Sequence, residues 1–307
     1  MKKVLVTGSN GLLGQKLTDI YRNQQDIELI ATGRGPDRYP KKEGYVYDEL
    51  DITSEEDVMS KILKHSPDCI IHTAAMTNVD ACELDKEGCV AQNIEAVRFV
   101  VKAANAIQAH LVHLSTDFIF DGTAGPYTED GEPNPLSFYG DSKLKGEEIV
   151  MQGAEKWAIL RTVLVYGLVA DMSRTNIVLW ARDALKNRKP IKVVDDQFRT
   201  PTLAEDLAMG CRLAEQHQAQ GVFNISGKDY MSIYDLVKRV STYFGFTMDL
   251  VERVSSDTLQ QPAKRPPVTG FVIDKAKHVL GYNPHSFEEG IKLVQEQYDK
   301  FTKVQAT

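Results

Sequence analysis

Tyr139 and Lys143 stand four residues apart in FYGDSKLKGE, and positions i and i+4 of a helix share a face. A phenol beside an ammonium can exchange a proton with a substrate oxygen. The positive charge favours the phenolate and draws the tyrosine pKa down towards neutrality. Thr116 closes the apolar run LVHLST, where its hydroxyl would sit at a strand end and hold the same oxygen. Together the three side chains describe a site that moves a proton on or off a carbonyl or alcohol oxygen. Asp117, the next residue, either contacts the substrate or bonds local backbone.

Such a trio needs elements to bring it together. Lys3 to Thr7 reads as a buried strand running into Gly8-Ser9-Asn10-Gly11-Leu12-Leu13-Gly14, with a helix pattern to about Asn23. Strand, G-x-x-G-x-x-G and helix set backbone N–H groups and a helix N-terminus against a pyrophosphate, with glycines where side chains would block the approach. The next strand, Ile27 to Thr32, ends in Gly33-Arg34. Residues past this strand face the adenosine ribose of a dinucleotide. An Arg there suits a 2′-phosphate, so Arg34 leans towards NADP unless it is a solvated loop residue.

Tyr45 to Leu50 is a third strand candidate, and Thr53-Ser54-Glu55-Glu56 has the S/T-x-x-E spacing of a capping box opening a helix to about His65. Asp68 to His72 is a fourth strand, followed by the small residues Thr73-Ala74-Ala75. A long helical stretch from about Lys86 to Gln108 precedes the strand Leu111 to Leu114, and Trp157 to Arg161 is a sixth. Strands alternating with helices imply parallel βαβ units. The expected fold is therefore a Rossmann-like, doubly wound α/β parallel sheet that binds ligands at the carboxyl ends of its strands, where Gly8, Ala74 and Thr116 all fall.

Beyond this the pattern is less regular. Helix candidates at Asn176–Asn187, Leu203–Gln216 and Ser232–Phe244 alternate with short strands at Ile191–Val194 and Gly221–Ile225, and a second capping box at Ser286–Glu289 opens the last helix. We expect a nucleotide-binding domain over residues 1–165, with segments near 191–228 as candidates to return to it, and a smaller mixed α/β substrate lobe over 166–307.

The length of 307 residues is enough for one large or two modest domains with a sizeable core. The formal charge of −7 disfavours a nucleic-acid partner, which usually needs a basic field, but leaves room for an anionic small molecule. No apolar run nears the roughly 20 residues that span a bilayer, and Val4-Leu5-Val6 meets Gly8 too soon for a signal peptide. The expectation is a cytoplasmic protein without a membrane partner. Cys69, Cys82, Cys89 and Cys211 show no zinc spacing, so free thiols and no metal are expected. His72 and His113 sit in or beside apolar strands as structural histidines, and Phe118, Phe120 and Phe138 as packing. Arg199, Lys264 and Arg265 lie in polar loops, where they either clamp a substrate diphosphate or are solvated.

The Gly8/Gly11/Gly14 spacing, Asp51, Thr73-Ala74-Ala75, Ser115-Thr116-Asp117 and Tyr139…Lys143 resemble the extended short-chain dehydrogenase/reductases. HTAAMTNVDACE, STDFIFDG, PYTE, YGDSKLKGE and DDQFRTPT are similar to the dTDP-4-dehydrorhamnose reductase family. The resemblance covers most of the chain and weakens after about residue 230.

It implies that NADPH or NADH, with NADPH favoured, lies along Gly8, Asn10, Gly11, Leu12, Leu13 and Gly14. Asp51 and Ile52 would lie near the adenine, and Ala74 and Ala75 along the pyrophosphate or nicotinamide ribose. Hydride would pass to C4 of a dTDP-4-keto sugar while Tyr139 protonates the carbonyl oxygen. Lys143 would hold the ribose hydroxyls, and Thr116, Asp117, Arg199 and Arg265 would meet the substrate. Related 4,6-dehydratases carry Asp-Glu after the Thr; here Asp117 is followed by Phe118, which argues for simple reduction.

One position departs from the pattern. Where family reductases have a Trp that packs on the sugar, RTVLVY places Leu164. A non-catalytic relative, the regulatory β subunit of methionine adenosyltransferase, has a similar aliphatic sequence there, and a sugar-nucleotide epimerase is a further alternative. Oligomeric state stays open, a homodimer being one option.

Overall fold

The computed structural model describes residues 1–170 and 175–305. In strand β1 (Lys2–Thr7), Val4 and Val6 pack with Leu17 and Tyr21 on one side of a sheet, while Leu5 between them packs with Val58 and Ile62 on the other. This is the two-residue period of an extended chain with both faces covered, and it explains why the strand reads as an unbroken apolar run.

The strands β2 (Ile27–Gly33), β4 (Cys69–His72), β5 (His110–Thr116) and β6 (Trp157–Thr162) follow the same logic, whereas β3 (Val46–Glu49) lies at the sheet edge with no fully buried residue. With Gly221–Asn224 they form one seven-stranded sheet whose neighbours all pair in parallel. Its order is Gly221–Asn224, β6, β5, β4, β1, β2, β3. Successive strands depart in opposite directions from β1 and β4, which opens a crevice at their carboxyl ends. The chain therefore has the expected doubly wound fold. Of the stretch 191–228, Gly221–Asn224 joins this sheet, whereas Ile191–Val194 pairs with Val251–Val254 away from it.

Helices α1 (Leu12–Tyr21) and Ala204–Gln216 cover one face. Helices α2 (Glu55–His65), α5 (Ala96–Ala106) and α6 (Phe138–Gly153) cover the other. The capping box expected at Thr53 is shifted by one residue. Ser54 is the N-cap and accepts from the Asp57 N–H, while the Asp57 carboxylate accepts from the Asp51 N–H instead of turning back to the cap. The box at Ser286 and Glu289 does form reciprocally.

The stretch read as one long helix is α4 (Lys86–Val90), a π-helical turn at Ala91–Glu95, and α5, preceded by the short α3 (Val79–Leu84). A separate apolar core joins α7 (Ile177–Lys186) to Val193, Leu236, Val240 and Ile291, so the later segments make a lobe with its own interior. Among the described residues no helix is long and apolar enough to cross a membrane. All four cysteines are free and buried.

Candidate active site

Ser137 begins the site. Its hydroxyl accepts from the Gly140 N–H and starts α6, so Tyr139 and Lys143 fall in the first two turns on one face. β5 ends at Thr116, whose hydroxyl accepts from the Phe118 N–H and donates to the Asp117 carboxylate. Thr116, Tyr139 and Lys143 line one cavity of about 880 Å³ above the strand ends.

The electrostatics correct one expectation. Burial raises the Tyr139 pKa, opposed by a hydrogen bond with Thr116 and helped by the Asp117 charge. Lys143 is pushed down to about 8 by burial, with Glu147 one turn on opposing the shift. The phenol is thus not drawn towards neutrality by its neighbour. Both groups have lost water, and dehydration disfavours the charged form of each. A phenol kept protonated suits a proton donor.

The glycine turn faces the same cavity. Gly8 has φ +71°, and a Cβ there would meet the Ala74 Cα at 2.9 Å. A Cβ at Gly14 would stand 2.3 Å from the Gly8 carbonyl oxygen, so β1 and α1 can approach only through glycine. Gly11 caps α1 without a side-chain hydrogen bond, which leaves its opening N–H groups facing the cavity beside Leu12 and Leu13. A cradle of backbone donors that a Cβ would fill fits a dinucleotide pyrophosphate. Ala74 and Ala75 continue this wall.

Farther along, Arg34, Asp51 and Ile52 line the cavity, and the Asp51 carboxyl is held below its usual range by bonds from Thr53 and by the Arg34 charge. The Asn10 side chain does more than lie along the turn. It donates to the Pro36 carbonyl and accepts from the Arg38 N–H, pinning the loop after β2. Arg38 lines the cavity beside Arg34, a second cation that sequence reasoning missed because the loop is drawn in by tertiary bonds from Asn10, Tyr45 and Tyr47.

The substrate candidates are also brought to the cavity, with altered roles. Arg199 is no solvated clamp. It is 3% exposed, and its guanidinium donates to the carbonyls of Phe198, Pro266 and Pro267, with Nε 3.6 Å from Asp117. Asp117, also buried, accepts from Thr269, and burial raises its pKa despite Arg199. Arg265 grips Asp80 of α3 with both terminal nitrogens, while Lys264 is exposed and off the cavity wall.

Behind the trio, His72 accepts from Thr7, whose hydroxyl already receives the N–H groups of Thr73 and Ala74, and stacks on His113. Asn93, in the π turn, is a further positioning residue the sequence did not reveal. Its amide bonds both backbone groups of Met76 and the Ser142 hydroxyl next to Lys143.

A dinucleotide cradle beside a Tyr-x-x-x-Lys pair, on a doubly wound parallel sheet, defines an NAD(P)H-dependent oxidoreductase of the extended short-chain dehydrogenase/reductase class. More narrowly, residues 1–300 match the model of the RmlD substrate binding domain family, and the chain belongs to that family. It is 28% identical over 307 residues to the dTDP-4-dehydrorhamnose reductase of Aggregatibacter actinomycetemcomitans, covering 96% of this chain and 99% of that one. It is also 32% identical over 248 residues to methionine adenosyltransferase 2 subunit beta of Rattus norvegicus, covering 79% of this chain and 72% of that one. Among solved structures, the Bacillus anthracis dTDP-4-dehydrorhamnose reductase in complex with NADP superposes with a TM-score of 0.83 at 28% identity. That match covers 97% of this chain and 100% of the other.

Proposed function

We propose that the protein reduces the C4 carbonyl of a nucleotide-linked 4-keto-6-deoxy sugar, with dTDP-4-dehydro-L-rhamnose as the substrate and NADPH as the preferred reductant. The observation that carries the reading is the convergence of Thr116, Tyr139 and Lys143 on one cavity with the Gly8–Gly14 cradle. When bound, the reduced nicotinamide supplies the hydride. Tyr139, kept protonated by burial, donates its proton to the developing alkoxide, and Thr116 holds the same oxygen. The Lys143 ammonium stabilises the phenolate left behind and orients the cofactor ribose.

Phe118, edge-on to Tyr139 with ring centroids 5.8 Å apart, stands where the resemblance gives the dehydratases the second carboxylate of their acid–base pair. Arg34 and Arg38 supply the positive charge that a 2′-phosphate requires. In this reading residues 1–165 with Gly221–Asn224 hold the cofactor, and most of 166–307 holds the sugar nucleotide. A cytoplasmic setting belongs to the proposal, since the four thiols are free.

Purified protein given the keto sugar nucleotide should oxidise NADPH. Tyr139→Phe should lower turnover by about 10²–10⁴-fold, the usual size of a positioned general acid. Full turnover in that variant would sink the mechanism.

A second reading, a cofactor-binding regulatory subunit, is favoured by one observation. Leu164, at φ +40°, gives the cavity an aliphatic side chain where the sugar-packing Trp was expected. Co-purification with a methionine adenosyltransferase and no turnover of any keto sugar would decide for it.

A further inference from the structure

The lobe-side wall of the cavity has no part in the proton and hydride steps, yet its residues are not those of a solvated surface. Val193, Ile233 and Leu259 line it with aliphatic side chains, and α7 contributes Ile177 and Trp180. On α7 the neighbours Val178, Leu179, Ala181 and Leu185 are buried in the lobe core and Ile177 packs against it, while Trp180 stays outside that core. Trp180 is 38% exposed and borders the cavity, and among the described residues no ring or cation stacks on its indole. Burying such a ring is favourable, so an indole left open beside a cavity points to a flat partner from outside the chain.

Gln197 supplies an independent observation. It lines the same cavity, is 7% exposed, and its side-chain amide makes no hydrogen bond among the described residues. The amide atoms themselves keep contact with solvent at the cavity, where a ligand can take up their hydrogen bonds. Leu164 lines the cavity as well, but with an aliphatic side chain that packs against both cores and has no ring to stack on.

We propose that Trp180 is the face on which the base of a pyrimidine nucleoside diphosphate stacks, with the Gln197 amide bonding the base edge. The inference rests on the reading of the substrate as a sugar nucleotide and adds the residues that select its base. Removing a stacking partner that holds substrate and transition state alike raises KM and leaves kcat in place.

The chain has two tryptophans, so Trp157→Phe leaves Trp180 as the single indole reporter. With the protein first saturated with NADP⁺, titration with dTDP should quench its emission saturably. Trp180→Ala should abolish the quench and raise KM for the sugar nucleotide roughly ten- to hundredfold, with kcat within about twofold, and Trp180→Phe should recover most of the loss. The difference in quenching between the unsubstituted protein and Trp180→Ala gives the same readout without altering Trp157. Quenching by NADP⁺ but not by dTDP, no quenching at all, or an unchanged KM in Trp180→Ala would overturn the proposal. Saturable dTDP quenching in a protein that reduces no keto sugar would support the base platform while removing the reductase reading.

Discussion

Tyr139 and Lys143 divide their work through burial. The phenol is raised, so it stays protonated throughout the working range, and the lysine at about 8 is the member of the pair that titrates. Reduction needs the phenol protonated and the ammonium charged. Both conditions hold below about pH 8, and the ammonium is lost as pH rises through it. The pH profile of kcat/KM for NADPH-dependent reduction should therefore turn down above about 8, approaching tenfold per pH unit. A profile flat to about pH 9.5, falling only near the ordinary tyrosine value, would assign the titration to Tyr139 instead. The residue types and spacing announced this pair. The direction of the tyrosine shift was not legible, because it depends on how much water each side chain loses, and that is set by Phe118, Cys82 and Cys89 packing around Tyr139.

At the scale of elements, helix starts aim the site. Ser137 holds the first turn of α6, and Ser137→Ala should cost about 1 kcal/mol of stability, read by chemical denaturation, with a fall in kcat as Tyr139 loses its fixed direction. Gly14→Ala is the sharper test of the cradle. Its Cβ would overlap the Gly8 carbonyl and Ser9, so the variant should lose cofactor affinity, measured by NADPH fluorescence titration, and about 1–3 kcal/mol of stability. Retained affinity would show that α1 can withdraw from β1 without harm. Strand periodicity and turn glycines made these elements readable. The π turn at Ala91–Glu95 was not, since its apolar spacing matches a plain helix and its function, placing Asn93 on Met76 and Ser142, exists only across segments.

Across the whole molecule, the lobe is tied to the site by buried charge. Arg199 comes from the segment that pairs with Met231–Ser232, and it reaches back to Asp117 beside Thr116. Arg199→Met would leave the Asp117 carboxylate buried without its cation and the Pro266 carbonyl without a donor, while the Phe198 and Pro267 carbonyls keep backbone N–H donors. We expect a loss of about 3–5 kcal/mol in denaturant unfolding and a weakened hold on the lobe. A loss below about 1 kcal/mol would mean that protonation of Asp117 absorbs the change. The sequence by itself determined the parallel sheet, the glycine turn and the grouping of Thr116, Tyr139 and Lys143 proposed as catalytic, because local period, turn chemistry and helical spacing are properties of neighbouring residues. Only the tertiary structure decided that Arg199 is a brace, that Arg38 joins Arg34, and that Trp180 brings an aromatic ring to the cavity, which Leu164 lines with an aliphatic side chain alone. Each of those outcomes depends on which distant segment removes water from the side chain or satisfies its hydrogen bonds.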